Sequence, residues 1–537
     1  YYDLETILNK LEGMFAFAVF DNKDKKLILA RDRCGEKPIY FSTGVNYLAF
    51  SSDLVSLTNL PFFDKKICKK ALKNFISYNY IPNPHSVYQS TYKLPPSSYL
   101  IINLNKIKFS STSSFENFVN DTEVIFKKWW SVRNNSSFKF EKGNYYENTE
   151  KLLLESVKNR LISDVPLGAF LSGGIDSSLV VSMMQKLQNN TKTFTIGYEN
   201  IDFDESKYAE KIAKYLGTDH NTFILSKKDF LEIIKNINDV YSEPFADSSQ
   251  IPTVLLSKLS REKVKVVLTG DGGDELFGGY NRYLYANKYF KIIKILSNFF
   301  GINLFKILPY KKIILIINIF LLNKFSNNQL IKIIDKLINI SDKKTFYEAM
   351  TKEWSQNFKI FNKDIDTIED NRFNELFNQT NISFEELMMT ADFESYLTDD
   401  ILCKVDRASM HSSLEARTPF LNHKLIEYSK SIPFSYKIHN GVTKKILKKI
   451  LTKYLPEEYF IRPKAGFAIP VSEWMKSDLK DWVNDILSPE VCNKHNFFDY
   501  KLIKKIKEEH FTGVSNHEHK LWSLIQFNNW YLKNMSV

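Results

Sequence analysis

The stretch from Val165 to Val180 reads V-P-L-G-A-F-L-S-G-G-I-D-S-S-L-V, and its reading decides the fold. Its first half is a short apolar run, which suits a buried strand of a parallel sheet. Ser172, Gly173 and Gly174 follow, then Asp176, Ser177 and Ser178, then an apolar, helix-compatible segment from Leu179 to Leu187. A strand that ends in Ser-Gly-Gly and turns directly into a helix leaves several backbone N–H groups unpaired and pointing one way. Glycine allows close backbone approach and the helix start adds positive dipole, so the site suits phosphate. No Gly-Lys-Ser/Thr closes the loop, so it is not a Walker loop. The plain alternative is an ordinary glycine turn.

Towards the N-terminus the pattern is different. Gly13 to Phe20 reads G-M-F-A-F-A-V-F, an apolar strand signal; a polar turn follows, and Leu27 opens a second strand. Short strands are also expected at Pro38 to Ser42, Tyr47 to Ser51 and Tyr99 to Leu104. Strands with few long helices indicate a β-rich N-terminal unit. Residues 105 to 145 are polar and read as a domain boundary. Beyond them, strands alternate with helices: strands at Thr193 to Tyr198, Asn221 to Leu225 and Lys265 to Leu268, helices at Glu205 to Leu216 and Ser249 to Ser260. That alternation implies a doubly wound parallel sheet, with ligands bound beyond the carboxyl ends of its strands. From Leu284 onward the chain reads mainly helical.

The strand at Leu268 ends in a second glycine-rich turn, T-G-D-G-G-D-E-L-F-G-G from Thr269 to Gly279. Carboxylates on a flexible backbone suit a divalent cation that meets phosphate oxygens, because Mg²⁺ commonly uses one or two carboxylates plus phosphates. Asp176 from the first loop is placed to supply another. Helix capping accounts for Asp274 and Glu275 but not for Asp271. A third cluster, Asp399 to Met410 with L-E-A-R-T-P-F at 414–420, alternates charge with apolar residues at helical spacing. Some of those charges must face the interior and find partners, so an ion-pair network is the default. Arg462-Pro463-Lys464-Ala465-Gly466-Phe467 brings two cations into a turn, suited to charge that builds up on a departing pyrophosphate.

The chain has 537 residues, 44% apolar and 25% charged, an ordinary globular balance with room for two or more cores. The net charge of +11 comes with Lys far in excess of Arg, weak support for a nucleic-acid partner. Cys34, Cys68, Cys403 and Cys492 form no CxxC arrangement, which argues against zinc and for a reducing compartment. The most apolar stretch, Ile313 to Leu322, is about half the ~20 residues a membrane span needs, so no integral span is expected.

S-G-G-I-D-S-S, T-G-D-G-G-D-E-L-F-G-G-Y, D-R-A-S-M, L-E-A-R-T-P-F-L and R-P-K-A-G-F occur in that order. Together they resemble the glutamine-hydrolysing asparagine synthetases and their close amidotransferase relatives. G-M-F-A-F-A-V-F-D and R-D-R-C-G-E-K-P-I-Y-F look like the later part of that family's glutaminase domain. The resemblance implies residues 1–130 as a partial type 2 glutamine amidotransferase domain and 131–537 as the synthetase domain. The fold class is then α/β: a β-rich remnant of an N-terminal-nucleophile glutaminase, a doubly wound ATP-pyrophosphatase sheet, and a largely helical C-terminal part.

By resemblance, the enzyme uses ATP and Mg²⁺ to adenylate a carboxylate, typically the aspartate side chain, and ammonia then displaces AMP. Leu171, Ser172, Gly173, Gly174, Asp176 and Ser177 would hold ATP and its pyrophosphate, and Ile196, Thr269 and Gly270 would contact the nucleotide. Asp176 and Asp274 would be the Mg²⁺ ligands. Asp271 stands where these synthetases usually carry a Glu that supports the acyl-adenylate step, and Lys464 would neutralise the leaving pyrophosphate. Arg282 is a candidate cation for an aspartate α-carboxylate. The partners implied are small molecules, with no nucleic acid; the expected compartment is the cytoplasm, and a homodimer is compatible with the resemblance. The family's nucleophile is an N-terminal Cys, but this chain starts at Tyr1 and lacks the Asn-Gly-Glu segment. The expectation is that the chain as written does not hydrolyse glutamine. Cys34 reads as a structural thiol. Three alternatives remain: a relative that amidates another carboxylate such as a sugar acid, a nucleotide- or RNA-modifying ligase, and a non-catalytic protein that kept the fold.

Overall fold

The computed structural model describes residues 3–107, 114–134, 138–199, 204, 206–300, 340–354, 359–362, 365, 371–461 and 469–535. Residues 3–128 build two antiparallel sheets. One has the order β1(Ala16–Asp21)-β2(Lys26–Arg31)-β6(Ser98–Asn103)-β7(Val124–Lys128), the other β4(Tyr47–Ser51)-β3(Tyr40–Gly44)-β5(Thr91–Lys93). The β1–β2 hairpin is tied by its turn: the Asp21 carboxylate accepts from the Lys23 and Asp24 amides at 2.9 and 3.1 Å. Leu29, Phe41, Tyr92, Leu100, Ile102 and Phe115 form the core shared by the two sheets.

β7 lies inside the polar stretch 105–145, so one more strand of this unit follows Tyr99 to Leu104. Val124 and Phe126 turn inward while Ile125 between them is exposed, the two-residue alternation that fits a strand with one wet face. Its pairing with β6 matches Ile125 to Ile101.

Beyond it lies a five-stranded parallel sheet in the order β10(Asp219–Leu225)-β9(Lys192–Tyr198)-β8(Leu167–Phe170)-β11(Val266–Leu268)-β12(Glu415–Arg417). The chain leaves β8 for β9 and β10 on one side, then returns to lay β11 on the other. β8 and β11 are therefore the pair at which strand order reverses, and in open sheets that crevice is where ligands bind. β12 corrects the helical reading of L-E-A-R: Glu415, Ala416 and Arg417 pair with β11, Val266 opposite Glu415. The helix after β8 is Ile175–Leu187, which starts directly after Gly174, ahead of the expected Leu179.

The remainder is mainly helical. Asp392–Ile401 winds as a π-helix and continues as the α-helix Leu402–His411. The charges of this segment find partners, several of them in the N-terminal unit. Lys37 donates to Asp406 at 2.9 Å, Arg407 bonds to Asp406 and to Asp53 at 3.0 Å, and Asn83 donates to Asp399 at 2.9 and 3.0 Å. Lys93 pairs with Glu243, and Arg160 with Glu36 at 3.1 Å, along the same seam. Farther along the chain, Lys404 Nζ meets Asp247 at 2.7 Å and Ser249 Oγ at 2.8 Å.

That last pair sets a pH dependence. Burial alone raises the Asp247 carboxyl, but Lys404 and the Ser249 donors outweigh it and bring its pKa down to about 2. A carboxyl whose folded value lies below its unfolded one stabilises the fold above the unfolded value; the contribution is lost as pH falls through the folded one. Asp247→Asn is expected to cost at least about 2 kcal/mol at pH 7. Urea melts of both proteins should show the gap narrowing as pH drops from about 4 toward 2; a gap that stays constant refutes the assignment.

All four cysteines are free. Cys34 is buried with its thiol pushed up by that burial, consistent with a structural role. Among the described residues no helix is long and apolar enough to cross a membrane. The stretch Ile313 to Leu322 lies outside the described residues.

Candidate active site

Both glycine loops leave the carboxyl ends of β8 and β11, strands in direct register: Leu167 opposite Val266 and Ala169 opposite Leu268. Parallel pairing of neighbours fixes the two loops side by side. In the first, Leu171 is buried and its amide donates to Phe194 O at 2.9 Å, anchoring the loop to β9. Gly173 takes φ +73°, a left-handed conformation that glycine adopts without a Cβ penalty. The Ser172 and Ser177 hydroxyls lie 3.0 Å apart, and Ser177 Oγ also reaches Gly174 O at 3.2 Å, so the two serines brace the loop across its mouth. Gly174 caps the helix with no side-chain bond, which leaves the first-turn amides to backbone-sized or ligand acceptors.

The second loop approaches the first as closely as backbone allows. A Cβ on Gly270 would lie 2.7 Å from the Ser177 amide nitrogen and 3.0 Å from the Asp176 carbonyl carbon. A Cβ on Gly273 would meet Asp176 Oδ1 at 2.6 Å, and one on Gly279 would overlap Asp274 Oδ1 and Lys444 Cε. These glycines are a cradle for one point, the space between the Asp176 and Asp274 carboxylates. Gly270→Ala should accordingly weaken nucleotide binding by about 100-fold and lower the melting temperature as well, because the added Cβ meets backbone at Asp176 and Ser177. Titration with a fluorescent ATP analogue reads it; unchanged affinity would show that the loops do not need this contact.

Lys444 fills that space. Its Nζ bonds to Asp176 Oδ2 and, at 2.8 Å, to Asp274 Oδ1, with only 6% of the side chain exposed. Burial disfavours the charge, yet Asp176 and Asp274 together overcome it and hold the lysine pKa above its ordinary value. Two carboxylates from two loops thus converge on one cation, the donor set that Mg²⁺ uses beside phosphate. Among the described residues no group of three or more His, Cys, Asp or Glu assembles, so the remaining ligands of a metal here would be phosphate and water.

Of the other predicted residues, Thr269, Asp271 and Ile196 lie on β11's carboxyl end, the second loop and β9 respectively. Thr269 is buried at the end of β11, and its amide donates to Arg417 O of β12 at 2.9 Å. Ile196 is buried on β9, one strand removed from β8. Burial raises the Asp271 carboxyl, with Lys404 pulling the other way and Asp274 adding to the rise. Glu275, in the first turn of the helix Gly273–Phe277, is almost fully buried; burial first, then Asp274, push its pKa up to about 8, and Tyr280 donates to it at 2.5 Å. Lys464 and the rest of 462–467 lie outside the described residues.

Arg282 is engaged elsewhere. Its Nε donates at 2.9 Å to Asp392, a fully buried carboxylate that also accepts from Tyr283 and, at 2.8 Å, from Tyr347. Its guanidinium stacks 4.1 Å from the Tyr280 ring. A free cation for a substrate α-carboxylate is therefore not what this residue presents.

Lys444 was not legible as a site residue, although one local signal existed. It is the N-cap of the helix Lys445–Leu451, where a cation opposes the helix dipole, and it sits in a left-handed conformation at φ 51°. A lysine in such a place needs an anionic partner from elsewhere.

The asparagine synthase family model matches residues 148–532, and that of the glutamine amidotransferase domain matches residues 4–115. The chain is 28% identical over 536 residues to "Asparagine synthetase [glutamine-hydrolyzing] 1" of Bacillus subtilis (strain 168), covering 99% of this chain and 79% of the relative. It is 35% identical over 408 residues to "Putative asparagine synthetase [glutamine-hydrolyzing] 2" of Methanocaldococcus jannaschii, covering 75% and 73%. "Amidase chry2" of Gibberella zeae is 30% identical over 301 residues, 52% of this chain and 41% of its own. With its parallel sheet, its paired glycine loops and these matches, the chain belongs to the asparagine synthase family, as an ATP-dependent carbon–nitrogen ligase.

Proposed function

We propose that this protein adenylates the side-chain carboxylate of aspartate and converts it to the amide, yielding asparagine, AMP and pyrophosphate, with ammonia derived from glutamine. The observation that carries the reading is the convergence of Asp176 and Asp274 on one cation position between two glycine loops. Residues 1–130 serve as the amidotransferase domain and 131–537 as the synthetase.

The loop amides at 172–177 and the Ser172 and Ser177 hydroxyls receive the phosphates, favoured by the start of the helix Ile175–Leu187. Leu171, Ile196, Thr269 and Gly270 contact the rest of the nucleotide. A substrate carboxylate oxygen attacks the α-phosphorus; that P–O bond forms as the α–β bridging bond breaks, and pyrophosphate leaves. Mg²⁺ held by Asp176 and Asp274 would supply charge neutralisation to the phosphate oxygens. Lys464, and Lys444 once drawn from its carboxylates, stabilise the charge gained by pyrophosphate. Ammonia then attacks the acyl carbon, the C–O bond to AMP breaks, and a proton leaves the new C–N centre. Asp271, whose carboxyl burial raises, is the group assigned to support this acyl-adenylate step.

One observation favours a second acceptor. Because Arg282 is committed to Asp392, the cation read as the partner of an α-carboxylate is taken, which favours a substrate without that group, such as a sugar acid. A screen of AMP and pyrophosphate release, with ammonia and with glutamine, across a panel of carboxylates separates the two. Aspartate-dependent release supports the first reading; release with a sugar acid and none with aspartate replaces it with the second. No release with any carboxylate refutes both.

A further inference from the structure

Lys444 and a metal ion cannot share the position the ammonium holds. Nζ lies within hydrogen-bond reach of one oxygen each of Asp176 and Asp274, whereas Mg²⁺ takes such oxygens at about 2.0–2.1 Å. An ammonium so close to a divalent ion is strongly repelled in a water-poor site. The lysine is delivered there by built geometry. Asn440 at φ 50° and Gly441 at φ +78° form a tight turn, closed by His439 and Val442 bonding each other's carbonyls at 3.2 and 2.9 Å. Lys444 follows at φ 51°, an unfavourable conformation for a side-chain-bearing residue that only a determined surrounding maintains. Gly279, lacking a Cβ, leaves the room its Cε occupies.

The charges then constrain what can enter. Two carboxylates and one ammonium leave a net single negative charge. A divalent ion arriving alone must expel a buried ammonium whose anionic partners, among the described residues, are these two carboxylates. A polyphosphate arriving with the ion brings another anion.

We propose that Lys444 holds the place of the metal ion and acts as a positioning residue that makes metal and polyphosphate bind together: free divalent metal is refused, and the metal–polyphosphate pair is admitted as the ammonium transfers from the carboxylates to phosphate oxygens. This rests on the reading of Asp176 and Asp274 as the metal-holding pair.

The test is Mn²⁺ binding to the full chain, followed by electron paramagnetic resonance or calorimetry, with and without inorganic pyrophosphate. In the unsubstituted protein, pyrophosphate should tighten Mn²⁺ binding by about tenfold or more. Lys444→Met should bind Mn²⁺ alone about tenfold more tightly than the unsubstituted protein and lose most of the pyrophosphate enhancement. Equal or weaker Mn²⁺ binding by Lys444→Met overturns the proposal. If that variant does not fold, the unsubstituted protein decides alone, since additive binding of Mn²⁺ and pyrophosphate overturns it equally. Asp176→Asn separates the two levels: Mn²⁺ binding with pyrophosphate that survives this change refutes the metal pair itself, while its loss, with Lys444→Met unchanged, refutes only the role of Lys444.

Discussion

Asp176→Ala is expected to abolish pyrophosphate release, with a fall in kcat of at least about a thousandfold. The carboxylate is one of two that meet at the crevice between β8 and β11, and no neighbouring acid on its own loop replaces it. A loss of about 4 kcal/mol of transition-state stabilisation corresponds to that factor. The fold should survive, because Lys444 keeps Asp274 at 2.8 Å as its partner. AMP and pyrophosphate assays, paired with a thermal melt by circular dichroism, check both halves. Turnover within tenfold of the unsubstituted protein would mean that Asp176 handles neither metal nor phosphate.

The largest effect on stability is expected at Asp392. This carboxylate is fully buried and gathers Arg282, Tyr283 and Tyr347 around it. Asp392→Ala strands the Arg282 guanidinium without its counter-charge, and breaking a buried pair in this way costs about 3–5 kcal/mol. A melting temperature lowered by about 5 °C or more should follow. The double change Arg282→Met with Asp392→Leu should recover much of that loss, because removing both charges removes the stranded one. A double variant no more stable than Asp392→Ala would show that shape, not charge, makes this site. Activity should suffer too: Arg282 stacks on Tyr280, whose hydroxyl holds Glu275 in the second glycine loop.

The two glycine loops could be read from sequence because their chemistry is local. Ser-Gly-Gly after an apolar run and Asp among glycines each state a need, for close approach and for carboxylate, within a dozen residues. The strands bearing them were legible for the same reason, through periodicity. Lys444 was hidden because its meaning is entirely long-range: within K-K-I-L-K-K nothing marks one lysine as buried between two acids that are each more than 150 residues away. β12 was missed because three residues are too short for any period, and Glu415 and Arg417 disguised an edge strand as a charged helix. β7 was missed because its polar flanks outweighed the Val124-Ile125-Phe126 alternation. Arg282 shows the converse error, since its position in sequence beside the second loop said nothing about Asp392, 110 residues on.

The charged seam between the N-terminal sheets and the helical segment has a consequence for dissection of the chain. Asp406, Glu243 and Glu36 each sit almost wholly out of water and rely on Lys37, Lys93 and Arg160 reaching across the seam. Cutting the molecule near residue 130 would not yield two finished modules. It would uncover Glu243 without its cation and leave Asp406 with Arg407 alone, and would strip Lys37 and Lys93 on the other side of their anions. The N-terminal part therefore supplies counter-ions to its neighbour. Loss of one half should be felt as instability of the other before it is felt as loss of ammonia.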